Sequence, residues 1–260
     1  MDLGIAGRTA LVCASSQGLG FACATELARA GCHVVMNGRN APALAAAAEQ
    51  VRAETGGHVS EVAGDIGAAA TQAAMVDAAG GEPDILVNNN GGPPARSWRD
   101  TDDRAIGEGL AANMVTPIAL VRRVIDGMAA RVWGRIVCIT SGSVKAPRPG
   151  LDLSSGARLG LHGFLNGVAQ EVAGSGVTIN FLLPGAFDTK RQRALQERRA
   201  QASGSTPAAM LAERVATIPA GRVGRPAEFG AACAFLCSEH AGFIVGQSLL
   251  IDGGANPGIF

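Results

Sequence analysis

Residues 9–20 read Thr9-Ala10-Leu11-Val12-Cys13-Ala14-Ser15-Ser16-Gln17-Gly18-Leu19-Gly20, and an alanine-rich stretch, Phe21-Ala22-Cys23-Ala24-Thr25-Glu26-Leu27, follows at once. A short apolar run suited to a strand gives way to small residues, then to a helical pattern. A turn of that kind lets backbone N–H groups and the positive end of a helix approach a pyrophosphate. A Gly-x-Gly pair is common in tight turns and says little alone. Its place between a first strand and a first helix is what points to a nucleotide.

The same alternation recurs along the chain. Strands are predicted at Thr9–Cys13, His33–Asn37, Val59–Ala63, Ile85–Asn88, Arg135–Thr140, Val177–Leu182 and Ser248–Ile251. Helices are predicted at Leu19–Arg29, Ala41–Glu54, Ala69–Ala78, Asp103–Ala130, Leu159–Ala173 and Pro226–Ser238. Apolar strands separated by helix-length segments predict an α/β protein, a doubly wound seven-stranded parallel sheet with helices on both faces. The chain has no internal repeat and no Gly/Ser/Pro linker, so residues 1–260 are expected to form a single domain. The run Ala41–Ala48 is low in complexity but fits an ordinary surface helix. One segment breaks the rhythm: residues 188–222 show no strand and are rich in Arg, Gln, Glu and Ala. Ligands of open α/β sheets bind beyond the carboxyl ends of the strands, so this excursion is expected to act as a substrate lid.

The chain has 260 residues, 47% hydrophobic and 17% charged, with formal net charge +0. That composition supports a sizeable core and offers no basic field for nucleic acid. The amino terminus shows no leader pattern, and no apolar run approaches the ~20 residues of a bilayer span, which predicts a cytoplasmic protein with no membrane partner. Cys13, Cys23, Cys32, Cys138, Cys233 and Cys237 form no CxxC pair or Cys/His cluster, so no metal is expected and the thiols read as buried and free. The sequence contains no tyrosine.

The second strand ends in Asn37-Gly38-Arg39. A site for NAD wants a carboxylate there, to accept from the ribose 2′-hydroxyl. A guanidinium instead pairs with a 2′-phosphate, which favours NADP (NADPH) over NAD. A solvated arginine at a helix start is the plain alternative, and Gln17 brings no second positive charge to the turn.

Taken with these features, the chain resembles the short-chain dehydrogenase/reductase family, a Rossmann-fold family, along nearly its whole length. The β-ketoacyl-carrier-protein reductase-like subset is nearest in pattern. Residues 11–20 match its glycine turn, with Ala14 where the first glycine usually stands. Ala63-Gly64-Asp65-Ile66, Asp84-Ile85-Leu86-Val87-Asn88-Asn89-Asn90-Gly91, Leu110-Ala111-Ala112-Asn113, Gly134 to Ser141, Pro184-Gly185-Ala186-Phe187-Asp188-Thr189, Gly221 to Pro226 and Ile251-Asp252-Gly253-Gly254 follow in family order. The resemblance implies a cofactor site made by Ser15, Ser16, Gln17, Gly18, Leu19, Gly20, Arg39, Asp65, Ile66, Asn88, Asn90, Gly91, Pro184, Gly185, Phe187 and Thr189. Within it, Asp65 would meet the adenine with Ile66 beside the ring, and the 184–189 loop would hold the nicotinamide carboxamide. It also implies a homo-oligomer, a homotetramer packed through the helices near Asp103–Ala130 and Leu159–Ala173.

The family's Tyr-x-x-x-Lys falls on Ser154-Ser155-Gly156-Ala157-Arg158. Asn113 and Ser141 keep the family's catalytic residue types, whereas Ser154 and Arg158 replace its tyrosine and lysine. A serine hydroxyl is a far weaker acid than a phenol of pKa ~10, and an arginine holds its proton. Ser141, Ser154 and Asn113 could still polarise a carbonyl through hydrogen bonds, and Arg158 could hold the ribose and place positive charge near a developing alkoxide. Lys145, Asp152 and His162 are candidate substitute acids, each with an ordinary structural role as its simpler explanation. Lys190, Arg191, Arg193, Arg198 and Arg199 in the excursion could receive an anionic acyl thioester, although a solvated helix face is favoured. An NADP-dependent oxidoreductase acting on a small carbonyl or 3-oxoacyl compound is the leading expectation. A cofactor-binding pseudoenzyme or regulatory subunit, and a lyase or isomerase using the same pocket, are the alternatives.

Overall fold

Four- to eight-residue apolar runs, each bounded by turn residues, are what a strand covered on both faces requires. The structure is a computed structural model describing residues 1–258, and it places all seven runs in one parallel sheet. The strands are β1 (Thr9–Val12), β2 (His33–Gly38), β3 (Val59–Ala63), β4 (Ile85–Asn88), β5 (Gly134–Ile139), β6 (Val177–Pro184) and β7 (Ser248–Ile251), in spatial order β3-β2-β1-β4-β5-β6-β7. Leu11 of β1 pairs with Val35 on one side and Leu86 on the other. Strand order reverses between β1 and β4, opening there the crevice in which such sheets bind ligands.

Each face buries its own apolar layer. On one face lie α1 (Gly18–Arg29), α2 (Ala41–Thr55) and α9 (Pro226–Leu236), through Leu27, Leu44, Phe229 and Cys233. On the other lie α3 (Ala69–Ala78), α5 (Thr116–Ala130) and α6 (Asp152–Val172), through Met75, Leu120, Val124, Leu161 and Leu165. Helices α1 and α9 touch backbone to backbone: a Cβ on Gly230 would stand 2.5 Å from the Ala22 carbonyl oxygen. All six cysteines are buried and free, as expected, and burial pushes the Cys13, Cys32 and Cys138 thiols up to about 12.

Two expectations need correction. The helix expected from Leu159 begins at Asp152, seven residues earlier, so Ser154 and Arg158 lie on α6 rather than in a loop. The stretch expected as one helix over Asp103–Ala130 is α4 (Asp103–Leu110) and α5, joined by a π turn at Ala111–Val115. Pro117 explains the join: it lacks the N–H that an α-helix would direct at the Asn113 carbonyl, and Thr116 N–H donates to Ala111 instead. The strandless segment 188–222 carries two helices, α7 (Lys190–Ser203) and α8 (Pro207–Ala216), capped by Thr189 and Thr206. Among the described residues no helix is long and apolar enough to cross a membrane, and no group of His, Cys, Asp and Glu could hold a metal ion.

Candidate active site

The crevice is organised from below by side chains whose hydrogen-bonding groups are taken up inside the protein. Ser15 is fully buried; its hydroxyl donates to the Val12 carbonyl (2.8 Å) and accepts from Asn37 N–H (3.0 Å). Asn37 accepts from Ala14 N–H (3.3 Å) and donates to the carbonyls of Val62 (3.0 Å) and Gly64 (3.2 Å), so one side chain locks the ends of three strands. Asn89 reaches across the β1–β4 crevice to the Ala14 carbonyl (3.3 Å). A Cβ on Gly20 would stand 2.5 Å from that carbonyl and 2.8 Å from Asn89 Nδ2, which is why glycine is needed there. Ala14 itself sits at φ +46, a conformation easier for glycine.

Above this frame lie groups with free capacity. Gln17 is exposed at the amino end of α1, and Gly18 (φ +64) faces Thr189, whose Cγ2 would be 3.7 Å from a Cβ there. Arg39 is exposed at the end of β2 and has no acidic or hydrogen-bonding partner among the described residues. Asn40, next to it, caps α2 by accepting from Ala43 N–H (2.9 Å). Asp65 is exposed and accepts from Gly67 N–H (2.8 Å). Gly91 is open, with nothing within 4 Å of a Cβ position.

Several of the expected cofactor-site residues also carry structural contacts. The hydroxyl of Ser15 has no free face. Ile66 is 4% exposed and belongs to the core beneath α3 and α5, not to a ring-stacking surface. The ring of Phe187 is buried edge-on against Phe229, 5.3 Å between centroids, so only its backbone remains to meet a ligand. Gly185 serves packing: a Cβ there would stand 2.5 Å from Asp252 Cβ. Asn88 donates to the Pro117 carbonyl (3.2 Å), and Asn90 donates to Ala112 (2.9 Å) while accepting from Gly91 N–H (2.8 Å). Leu19 is half-buried against the core, Ser16 borders Gly38, and Pro184 closes β6.

At the far end, β5 delivers Ser141 and α6 delivers Ser154 and Arg158. Ser141 Oγ accepts from both Ser143 N–H (3.1 Å) and Ser143 Oγ–H (2.9 Å), leaving its own proton to donate. Arg158 is 7% exposed; its Nε donates to Ser154 Oγ (3.1 Å) and its Nη1 to the Ile139 carbonyl (2.8 Å). Burial and the charge of Arg191 push the Arg158 guanidinium down to about 10, so it stays protonated at neutral pH. Asn113 is buried in the π turn, donates weakly to Gly109 (3.5 Å), and its Oδ1 has no protein partner. It lines a cavity of about 10 Å³ with Asn88, Asn90 and Arg158, room for a single water.

The family model described as Enoyl-(Acyl carrier protein) reductase matches residues 13–256. The chain belongs to the short-chain dehydrogenase/reductase family. It is similar to an acetoacetyl-CoA reductase of Cupriavidus necator, 34% identical over 96% of this chain and 99% of the relative. It is similar also to a 3-oxoacyl-(acyl-carrier-protein) reductase of Escherichia coli, 32% identical over 95% of this chain and 97% of that one. Among solved structures, L-sorbose reductase from Gluconobacter frateurii, complexed with NADPH and L-sorbose, overlays with a TM-score of 0.94 at 28% identity, with both chains covered completely.

Of the candidate substitute acids of this short-chain dehydrogenase/reductase, His162 is taken up by the framework. His162 is 8% exposed and bridged by the hydroxyls of Thr140 (3.0 Å) and Ser248 (3.1 Å). Its ring stacks on Phe181, and burial with the Arg158 charge pushes it down to about 4. Lys145 and Asp152 are exposed, and Asp152 accepts from Gly150 N–H (3.2 Å) at the start of α6. Sequence reasoning missed Asn37 and Asn89 as organisers. The polar run Asn88-Asn89-Asn90 closing an apolar strand was the available signal, since a buried amide implies a partner to lock. It also did not separate Arg191 from the other lid cations. Arg191 Nη2 reaches toward the Gly92 carbonyl (3.5 Å), whereas Arg193 is paired with Asp188 (2.7 Å).

Proposed function

We propose that this short-chain dehydrogenase/reductase is an NADPH-dependent reductase of a small carbonyl or 3-oxoacyl compound, working with Ser154 and Arg158 in place of the family's tyrosine and lysine. The single observation that carries it is Ser141 at the carboxyl end of β5: its oxygen accepts from Ser143 N–H, which leaves a hydroxyl proton it can donate to a ligand. The residues present fit the nucleotide. Gly20 makes the close approach that a turn against a pyrophosphate needs, and Arg39 stands unpaired where a 2′-phosphate would lie. NADPH-bound relatives support the same cofactor. When bound, the reduced nicotinamide supplies a hydride to the carbonyl carbon.

As that carbon is reduced, the carbonyl electron pair moves onto oxygen. Ser141 donates a hydrogen bond to the growing oxyanion. Ser154 Oγ accepts from Arg158, so its own proton is free to do the same, with the guanidinium charge behind it. Neither serine is acidic enough to surrender its proton, so the alkoxide takes one from water. The absence of a general acid costs about 10²–10⁴-fold in rate. The segment 188–222 acts as the lid, since Thr189 at its base already faces Gly18. The exposed Leu159 and Phe164 on α6, with Val115 in the π turn, support association of copies through this face; light scattering at micromolar concentration is expected to report a homo-oligomer.

The test combines fluorescence titration of NADPH and NADH with oxidation of NADPH by acetoacetyl-CoA and simple ketones. NADPH is expected to bind at least about tenfold more tightly than NADH, and Arg39→Ala to remove that preference. Ser141→Ala is expected to slow turnover at least about tenfold at unchanged NADPH affinity. A protein that binds NADPH but oxidises it with no carbonyl compound would favour the binding-protein alternative.

A further inference from the structure

Among the arginines of segment 188–222 that have no carboxylate partner, Arg191 is the one that reaches the site, through the Gly92 carbonyl. Arg193 is held by Asp188, and Arg222 and Arg225 by Glu228. Arg158 and Arg191, by contrast, have no carboxylate within 4.0 Å among the described residues. The charge of Arg191 is close enough to act on Arg158. Two like charges near each other, one of them buried, disfavour each other and have no carboxylate beside them to offset the cost.

The geometry around them is open in the direction a ligand would take. Arg158 commits Nε and Nη1 to Ser154 and Ile139, while its Nη2 has no partner among the described residues. From the other side, Arg191 Nη2 and Nη1 would lie 3.3 and 3.7 Å from a Cβ on Gly92, and Ser154 Oγ 3.8 Å from the same point. Gly92 therefore stands between Arg191 and Ser154, and Ser154 in turn holds Arg158, so the two guanidinium groups border one hydroxyl. A planar carboxylate matches such donors, because each guanidinium offers parallel N–H groups to its two oxygens.

We propose that Arg158 and Arg191 form a carboxylate subsite beside Ser154, whose hydroxyl stays with the carbonyl, and that the substrate is an oxo acid carrying a free carboxylate within a few carbons of the reduced carbonyl. This rests on the reductase reading for its placement of the carbonyl at Ser141, but the subsite can be tested by binding alone. The phosphates of the cofactor are the competing anion, and they are separable because they belong to the NADPH titration.

The probes are 2-oxobutyrate and 3-oxobutyrate with their methyl esters, titrated calorimetrically into the full chain, free and saturated with NADP⁺. At least one acid is expected to bind at least about tenfold more tightly than its ester, the discrimination of one charge-assisted pair. Arg191→Gln, at an exposed position, is expected to reduce that ratio below about threefold while NADPH affinity changes less than about twofold. Arg198→Gln, on the same helix, should leave the ratio unaltered. Equal binding of acid and ester in the native protein would overturn the subsite. So would an Arg191→Gln variant that loses NADPH affinity and keeps the ratio, because the arginine would then serve the cofactor. Failure of NADPH to bind at all would instead sink the reductase reading, and the acid-to-ester ratio on the free protein would still decide the subsite.

Discussion

Two ends of one crevice are built on opposite principles. Beneath the glycine turn, Ser15, Asn37 and Asn89 are committed to backbone groups of β1, β2 and the loop after β3. At the carboxyl end of β5, Ser141 and Ser154 keep protons to give, Asn113 Oδ1 is unpartnered, and the charge of Arg191 bears on the buried Arg158 guanidinium, neither having a carboxylate partner among the described residues. A satisfied buried polar group stabilises the fold and is silent toward ligands, whereas an unsatisfied one costs stability unless something binds it. Residue type does not tell the two apart: Ser15 and Ser141 are both serines after a strand, and only the second is available for chemistry.

The contrast is sharpest at Asn37. Asn37→Ala would strand Ala14 N–H and the carbonyls of Val62 and Gly64, and should cost about 3 kcal/mol in urea unfolding. A loss below about 1 kcal/mol would mean that the clamp is not holding the strand ends.

His162 lies at the reactive end but should behave as framework. Its pKa is lowered in the folded protein to about 4 from an ordinary 6.5, so the folded state prefers the neutral ring. The stability this confers is fully present above pH 6.5 and is lost as pH falls toward 4. Between pH 7.5 and pH 5 the loss should be about 2 kcal/mol, and His162→Gln should remove that part of the pH dependence. Matching unfolding curves for the two proteins across that range would refute the assignment.

At the reactive end itself, Ser154→Tyr with Arg158→Lys would restore a phenol beside a lysine. NADPH oxidation with ketones or β-ketoesters should rise at least about tenfold, and Ser154→Tyr alone should gain less, because arginine cannot relay a proton. A folded double variant that binds NADPH normally yet shows no gain would mean that this end is not arranged for hydride transfer.

The smallest effect belongs to the glycine turn. Ala14 at φ +46 carries strain of about 1–2 kcal/mol, partly offset by the greater freedom glycine has when unfolded. Ala14→Gly should therefore stabilise the protein by about 0.5 kcal/mol, read as a shift of the urea midpoint with unchanged slope.

The strands were legible from sequence because the five inner ones are short runs of strand length that are mostly apolar and buried on both faces, and every one of the seven lies within two residues of its expected ends. Burial imposes that pattern locally, with no knowledge of neighbours. The first residues of α6 were not legible: Ser154-Ser155-Gly156 carries loop-like propensity, and tertiary packing of Ala157, Arg158 and Leu161 outweighs it. The break at Ala111–Val115 was signalled only by Pro117, whose missing N–H acts on a carbonyl four residues back.

Sequence by itself determined the order of elements, the glycine turn, the place of Arg39, and the absence of any tyrosine to serve as acid. These are properties of local periodicity and residue identity. Only the tertiary structure decided which polar groups are finished and which are still open. The side chains of Ser15, Ile66 and Phe187 are buried because their partners come from other strands and helices, while Arg191 lies near the site because α7 brings it beside Gly92 and Ser154. Hydrogen-bond satisfaction and charge pairing depend on groups far apart in the chain, and no local pattern records them.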